Sequence, residues 1–193
     1  MKPLWIVLGL VALLIVVLLF AGGSYIGSKN QMVAKDQNVQ AAFSEIDVNL
    51  QRRADLIPNL VATVKGYANV EETVLNNIAQ ARSGLLQAKS PDEKLAANDR
   101  LNVALLPLMR LQENYPQLKS NDQFMRLQDE LAGTENRIAV ARRRYNESIR
   151  EYNTFIQQFP NSIWANIAGF HPKNEYYTAE PGSKVAPKVD FSK

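Results

Sequence analysis

From Val39 onward the apolar residues of this chain return alternately every four and every three positions. The series runs Val39, Phe43, Ile46, Leu50, Arg53, Ile57, Leu60, Val64, Tyr67, Glu71, Val74, Ile78, Ala81 and Leu85, with Arg53 and Glu71 as its charged members. A second series is as regular: Phe124, Leu127, Leu131, Thr134, Ile138, Ala141, Tyr145, Ser148, Tyr152, Phe155 and Phe159. Such spacing keeps one stripe of an α-helix facing its neighbours, as in coiled coils and left-handed bundles. No comparable stretch alternates with the period of two expected of a half-buried strand. The expected fold class is therefore all-α.

Breakers divide the pattern. Pro58 has no backbone N–H and disfavours helix at Ile57, so a turn or kink is expected near Asp55–Ile57. Ser90-Pro91-Asp92-Glu93 reads as a helix start, with Ser90 as cap, Pro91 at the first helical position and acidic residues in the first turn. Tyr115 to Ser120 reads as a connection, after which Ser120 or Asn121 can cap the next helix; Phe159-Pro160-Asn161 ends the longest one. Helices are expected over about 28–54, 58–88, 92–114 and 121–158, with a bend at Pro107. Their short links imply an antiparallel up-and-down four-helix bundle. The repeat crosses Pro58 in phase, so the first two helices can equally be one kinked helix.

Ahead of the bundle, Leu4 to Gly22 carries no charge. Nineteen helical residues span roughly 28 Å at about 1.5 Å each, close to the hydrocarbon thickness of a bilayer. Trp5 and Tyr25 bracket the run, where aromatic rings favour the headgroup region. The alternative is a cleaved signal peptide with its site at Ala21–Gly23, which would leave a secreted binding domain. The run is longer than the usual apolar core of a signal peptide, which favours an anchor. Lys2 and the α-amino group on one side nearly balance Lys29, Lys35 and Asp36 on the other. The charges nearest the span favour a cytoplasmic N-terminus. The expected organisation is a transmembrane anchor and hinge over 1–27, with Gly22, Gly23 and Gly27 at the hinge, a helical bundle over 28–170 and a mobile extension over 171–193.

Several chemistries are excluded or disfavoured. A net charge of +3, from 22 basic and 19 acidic residues mixed along the helices, does not suggest nucleic acid. Without cysteine there are no disulfides, thiolate metal sites or cysteine nucleophiles. Di-metal bundles take Glu-x-x-His pairs from their helices, and this chain has a single histidine, His171, with no orienting partner near it in sequence. No phosphate loop, dinucleotide fingerprint or serine elbow is present. No catalytic residue, cofactor or metal ligand is assigned.

The polar residues on apolar seams are the candidate sites. Arg53 and Glu71 lie on the first stripe and Arg142 adjoins the second. A lone buried charge is costly, so these groups should pair or reach water. If the second and fourth helices run parallel, Glu71 can approach Arg137 or Arg142, giving a buried network of Arg53, Glu71, Arg137 and Arg142 that fixes helix register. The alternative is that these charges sit at the bundle edge. Leu56, Ile57, Leu60, Val61 and Val64 belong to a stretch that is apolar on more than one face. Such a helix is covered either by its own bundle or by another chain, so these residues are also a candidate interaction surface. Arg142-Arg143-Arg144 reads as a solvated face, or as a contact for anionic headgroups if it lies near a membrane.

Several strings resemble the LemA family. They are Arg52-Arg53-Ala54-Asp55-Leu56-Ile57-Pro58-Asn59-Leu60-Val61, then Val64-Lys65-Gly66-Tyr67-Ala68 with Glu71, Ala81-Arg82, and Tyr115-Pro116-Gln117-Leu118-Lys119 with Asn121-Asp122-Gln123-Phe124. Thr134-Glu135-Asn136-Arg137-Ile138 follows, and Ala141-Arg142-Arg143-Arg144-Tyr145-Asn146 leads on to Tyr152-Asn153 and Phe159-Pro160. Phe43 stands where a Trp is common, Val70 where a His is common, and Pro107 interrupts a helix that is usually unbroken. The resemblance implies a membrane anchor and a four-helix bundle. Some relatives carry a lipoprotein-type N-terminus, which implies a body outside the cytoplasm. It brings no established activity, but relatives are associated with membrane-protein quality control and envelope functions.

Together these readings predict a non-enzymatic scaffold of the bacterial inner membrane, single-pass, with a periplasmic bundle. It is expected to act through protein partners, among them membrane-protein quality-control components, and through homo-oligomers. A rival is an enzyme with a site built from Asp55, Glu71 and arginines, which requires those groups to converge in a cleft with shifted pKa values.

Overall fold

The computed structural model describes residues 2–177, and among them are six helices and no strand. They are α1 (Lys2–Lys65), α2 (Glu72–Gln87), α3 (Pro91–Asn114), α4 (Pro116–Lys119), α5 (Asp122–Gln157) and α6 (Asn161–Ala168). The all-α reading holds. The longest helix is α1 rather than the one before Phe159, because α1 joins the apolar run to the first stripe. It passes Gly22, Gly23 and Gly27, the residues of the expected hinge, without a break in the helix.

Of the alternatives left open at Pro58, the turn does not form and one helix crosses it: α1 continues through Pro58 to Lys65. Proline at 58 deprives the Ala54 carbonyl of its usual intrahelical donor. Arg82 of α2 supplies a donor instead: its Nε hydrogen-bonds to the Ala54 oxygen at 2.7 Å. Its guanidinium also lies 4.0 Å from the Asp55 carboxylate, which accepts a bond from Gln51 at 3.0 Å. The ring of Pro58 is on the exposed side, as is that of Pro107, through which α3 likewise runs uninterrupted. Replacing Arg82 by Ala should cost about 1–2 kcal/mol, the range for losing a charge-assisted bond to a partly exposed carbonyl. Urea unfolding tests this, and a loss no larger than that of Arg82→Lys would show that the bond to Ala54 contributes nothing.

The break falls instead at Gly66–Glu71. Gly66, Tyr67 and Ala68 close α1 with turn bonds back to Ala62, Thr63 and Val64. From there α2 starts at Glu72 with no side-chain cap. The start of α3 is as the sequence indicates, a capping box with Pro91 in the first turn. Ser90 Oγ accepts from Glu93 N at 3.2 Å, and the Glu93 carboxylate accepts from the Lys89 and Ser90 amides at 2.9 and 3.2 Å. Those two backbone bonds hold the Glu93 carboxyl below the ordinary carboxylate range. Its contribution to stability is therefore present above the unfolded-state value and lost as pH falls through the folded one. The stability difference between wild type and Glu93→Gln should shrink toward zero on acidification below the carboxylate range. A difference independent of pH would remove the charge from the account. Ser90→Ala should cost about 1 kcal/mol at neutral pH.

The chain forms two compact units. One comprises 46–142 with the stretch from 175, and here four helix segments alternate in direction. Asp47 and Arg53 of α1 meet Lys94 and Asn102 of α3, so these two run parallel. Asn49 and Arg53 meet Arg137 and Glu135 of α5, which therefore runs antiparallel to α1. Up-and-down order follows, with a core of Ile46, Leu50, Ile57, Leu60, Ile78, Leu85, Leu101, Leu108, Phe124 and Ile138, all at most 3 % exposed. Fully burying each such side chain contributes about 1.5–3 kcal/mol. Asn121 caps α5 by accepting from Phe124 N at 2.8 Å and donates to the Tyr67 hydroxyl at 2.9 Å, tying the two connections at that end together.

The other unit comprises the chain up to Glu45 with 143–174. Here α1 and α5 run antiparallel, joined by Arg144–Glu45 at 2.8 Å and Lys35–Glu151 at 3.4 Å, with Met32, Val39, Ile149, Tyr152 and Ile156 buried. After α6 the chain turns at Gly169, whose φ of 77° is the left-handed conformation glycine adopts readily, and returns along α5. Tyr152 donates to the His171 carbonyl at 3.1 Å, Asn153 exchanges two bonds with the Lys173 backbone, and Lys173 pairs with Asp36 at 2.9 Å. The first residues of the extension expected to be mobile are thus held by α5, while 178–193 lie outside the described residues. Every residue from Trp5 to Phe20 is exposed, and α1, which begins with this stretch, is long and apolar enough to cross a membrane.

Candidate functional site

Polar side chains from three helices meet inside the larger unit. Arg53, 7 % exposed, comes from the apolar stripe of α1; it pairs with Glu135 of α5 and donates to Asn102 of α3. Arg142 lies about two helical turns beyond Glu135 along α5, its guanidinium 5.7 Å from the ring centre of Tyr177, whose hydroxyl donates to the Pro91 carbonyl at 3.2 Å. Burial first, and then the Arg142 charge, lower the Arg53 pKa, while Asp99 opposes both. Burial likewise lowers the Arg142 pKa, against Asp99 and Tyr177. Arginine stays protonated regardless, so two cations share this interior with the carboxylates of Glu135 and Asp99. Asn98 is fully buried, and its amide has no hydrogen-bond partner among the described residues. Unsatisfied buried amides cost stability, which makes this an expensive centre that a purely apolar layer would avoid.

The expected network is therefore only partly assembled. Arg53 is buried and paired, and Arg142 is close enough for the two charges to repel. Arg137 is exposed and bonds to Asn49 at 3.2 Å. Glu71 is not in the network: it is exposed at the start of α2. Because α1 extends to Lys65, Glu71 falls in the connection at the end of the unit where α5 begins. Arg137 and Arg142 lie further along α5, at least fifteen residues and roughly 20 Å away. Asp55 faces Arg82 well along α2 from Glu71, so Asp55 and Glu71 do not converge.

The carboxylate missed by sequence reasoning is Glu135. Its signal was adjacency to Thr134, a polar member of the second stripe that is itself fully buried and donates to the Leu131 carbonyl at 2.7 Å. Asn98 and Asn102 left no signal, since α3 carries no clean stripe from which to infer their direction.

Of the two alternatives for the stretch at 56–64, the burial of its residues fits coverage by the chain's own bundle. Ile57, Leu60 and Val64 are at most 1 % exposed and belong to the bundle's own core, while Leu56 and Val61 are half-buried. Exposed apolar residues of this unit occur on several helices, among them Val48 on α1, Leu86 on α2 and Met125 on α5; on α3, Val103 and Leu106 are 66 % and 51 % exposed. Beside them is an open groove of 530 Å³ whose walls include Asp92, Leu95, Ala96, Asp99, Arg100 and Val103. A second groove of 640 Å³ lies between α2 and α3, along Gln80, Gly84, Ala88 and Arg100. The sequence signal was Val103-Ala104-Leu105-Leu106-Pro107-Leu108, apolar all round like the stretch at 56–64.

Among known proteins, the LemA family profile matches residues 42–191, from the middle of α1 through the bundle. Protein LemA of Metamycoplasma hominis is 29 % identical over 116 residues, covering 58 % of this chain and 52 % of that protein. The match thus spans about half the length of the curated relative. The family match takes in α2 to α6 entirely, together with Arg53, Glu135 and Arg142, and on that extent the chain belongs to the LemA family.

Proposed function

We propose that this protein is a membrane-anchored, non-enzymatic scaffold of the bacterial envelope that binds other proteins, and further copies of itself, through the outer face of α3. The observation carrying this reading is the exposed pair Val103 and Leu106 beside a groove edged by Asp92, Asp99 and Arg100. An apolar centre with a charged rim is the ordinary anatomy of a protein-binding patch. The anchor rests on the uncharged, exposed run at the start of α1. Tethering raises the effective concentration of the body toward other membrane residents, so modest contacts suffice for occupancy. Membrane-protein quality-control components are the partner class suggested by the family resemblance, and the periplasm is the side suggested by the flanking charges.

The absence of cysteine makes the test direct. Val103→Cys introduces a sole thiol on the proposed face, and Asp129→Cys places one on an exposed position of α5. With a short bifunctional thiol reagent in intact membranes, discrete adducts should form at Val103 and be several-fold weaker at Asp129. Equal labelling at both positions would remove α3 as the binding face. Protease accessibility of a C-terminal tag in spheroplasts should place the body outside the cytoplasm; protection there with digestion in inverted vesicles would reverse the orientation.

A further inference from the structure

Along α1, unbroken exposure ends at Ala21, near the close of the apolar run, and Ser24, Tyr25 and Ser28 beyond it are partly or fully covered. What packs beside it is α6. Ser28 donates to Asn161 at 2.8 Å. Four residues nearer the run, Trp164 donates through Nε1 to Ser24 at 3.3 Å, and its ring meets Tyr25 edge-on with centroids 5.7 Å apart. As α6 advances from Asn161 to Trp164, its partners on α1 thus step back from Ser28 to Ser24. The two helices are antiparallel, and α6 points toward the apolar run. Its end and the turn at Gly169-Phe170 lie five to six residues past Trp164, roughly 7–9 Å further in the same direction. That places the turn level with the last residues of Leu4–Gly22.

The composition of α6 fits this position. From Tyr152 to Phe170 the chain carries no charged residue. The face of α6 away from α1 presents Ile163 and Ile167, 48 % and 64 % exposed, and Phe170 continues the same stripe at the turn. Trp164 and Tyr25 supply the aromatic pair characteristic of the headgroup region, and Lys29 lies 6.0 Å from the Tyr25 ring centre. Isoleucines are thus left open to solvent at the level where a span would meet its bilayer.

We propose that α6 and its turn are a second membrane contact, a wedge seated in the headgroup layer of the leaflet from which the body emerges, with Ile163, Ile167 and Phe170 directed toward the acyl chains. The partner is the lipid surface itself, and the depth is that of interfacial amphipathic helices, about 5–10 Å. The inference rests on the anchor reading, from which the test separates it.

The chain has two tryptophans, Trp5 in the run and Trp164 in α6, so each can be made the sole fluorophore of the full-length protein. Trp5→Phe leaves Trp164, and Trp164→Phe leaves Trp5. In phosphatidylcholine vesicles whose acyl chains are brominated near the headgroup, both emissions should fall roughly twofold relative to unbrominated vesicles, as expected of interfacial residues. Adding Ile167→Asp to Trp5→Phe removes no core contact and should abolish most of the Trp164 quenching. Quenching of Trp5 without Trp164 would overturn the wedge and leave the anchor standing. Quenching of neither would overturn the anchor and the wedge with it. Quenching of Trp164 that is unaffected by Ile167→Asp would mean that the proposed face is not the one in lipid, and the wedge as described would fall.

Discussion

Glu135→Ala should lower the free energy of unfolding by about 3 kcal/mol, the low end of the range for removing one partner of a buried pair. Arg53→Met, at the other end of the same contact, should cost less than half as much. The asymmetry follows from burial. The Arg53 side chain is 8 % exposed and that of Glu135 41 %. Removing the carboxylate strands a cation in an interior that already holds Arg142, with the Asn102 oxygen and Asp99 left to offset it. Removing the cation leaves Glu135 with access to water, and Met fills much of the vacated volume. In the double variant the methionine should recover part of the loss caused by Glu135→Ala, a coupling that a double-mutant cycle measures. Urea unfolding of the detergent-solubilised chain, followed by helical circular dichroism, provides the readout. If Arg53→Met proves as costly as Glu135→Ala, the buried-charge account is wrong.

Ile57→Ala and Leu60→Ala should each cost about 3 kcal/mol, within the usual range for truncating a fully enclosed aliphatic side chain. Leu56→Ser and Val61→Ser, one position away in each case, should cost about 1 kcal/mol or less, because both are half-buried. The contrast separates two roles for one apolar stretch. If another chain covered residues 56–64, Ile57 and Leu60 would affect assembly while leaving the stability of the isolated protein nearly unchanged. Here they are at most 1 % exposed within a single chain, so stability should carry the whole effect. Equal and small losses at all four positions would restore the stretch as a docking surface.

Both predictions concern the bundle, whereas the functional proposals concern α3's outer face, the apolar run and α6. Substitutions at Val103 or Ile167 should therefore alter binding or lipid contact with little change in unfolding free energy, since exposed side chains contribute little to folding.

What the sequence determined by itself is local. The alternating spacing of four and three identified helices and the faces they bury: Val39, Ile46, Leu50, Ile57, Leu60, Val64, Ile78, Leu85, Phe124, Ile138 and Tyr145 are all at most 3 % exposed. Ser90-Pro91-Asp92-Glu93 identified the start of α3, because a capping box is completed within one turn. The run from Leu4 to Gly22 identified the candidate span from length and charge alone. The tertiary structure decided the fate of each group that had to find a partner through space. Pro58 does not break α1, and the carbonyl it orphans is met by Arg82, a residue of another helix. Once α1 runs on to Lys65, Glu71 is carried out of the stripe into a connection, and Glu135 becomes the anion opposite Arg53. Likewise Ile163 and Ile167 read as one more apolar stripe until Trp164 is seen against Tyr25, at the edge of the candidate span. Periodicity reports which face of a helix is apolar. It does not report which distant donor, charge or solvent that face will meet, because a buried polar group is satisfied by whichever partner the packed chain brings within hydrogen-bonding distance.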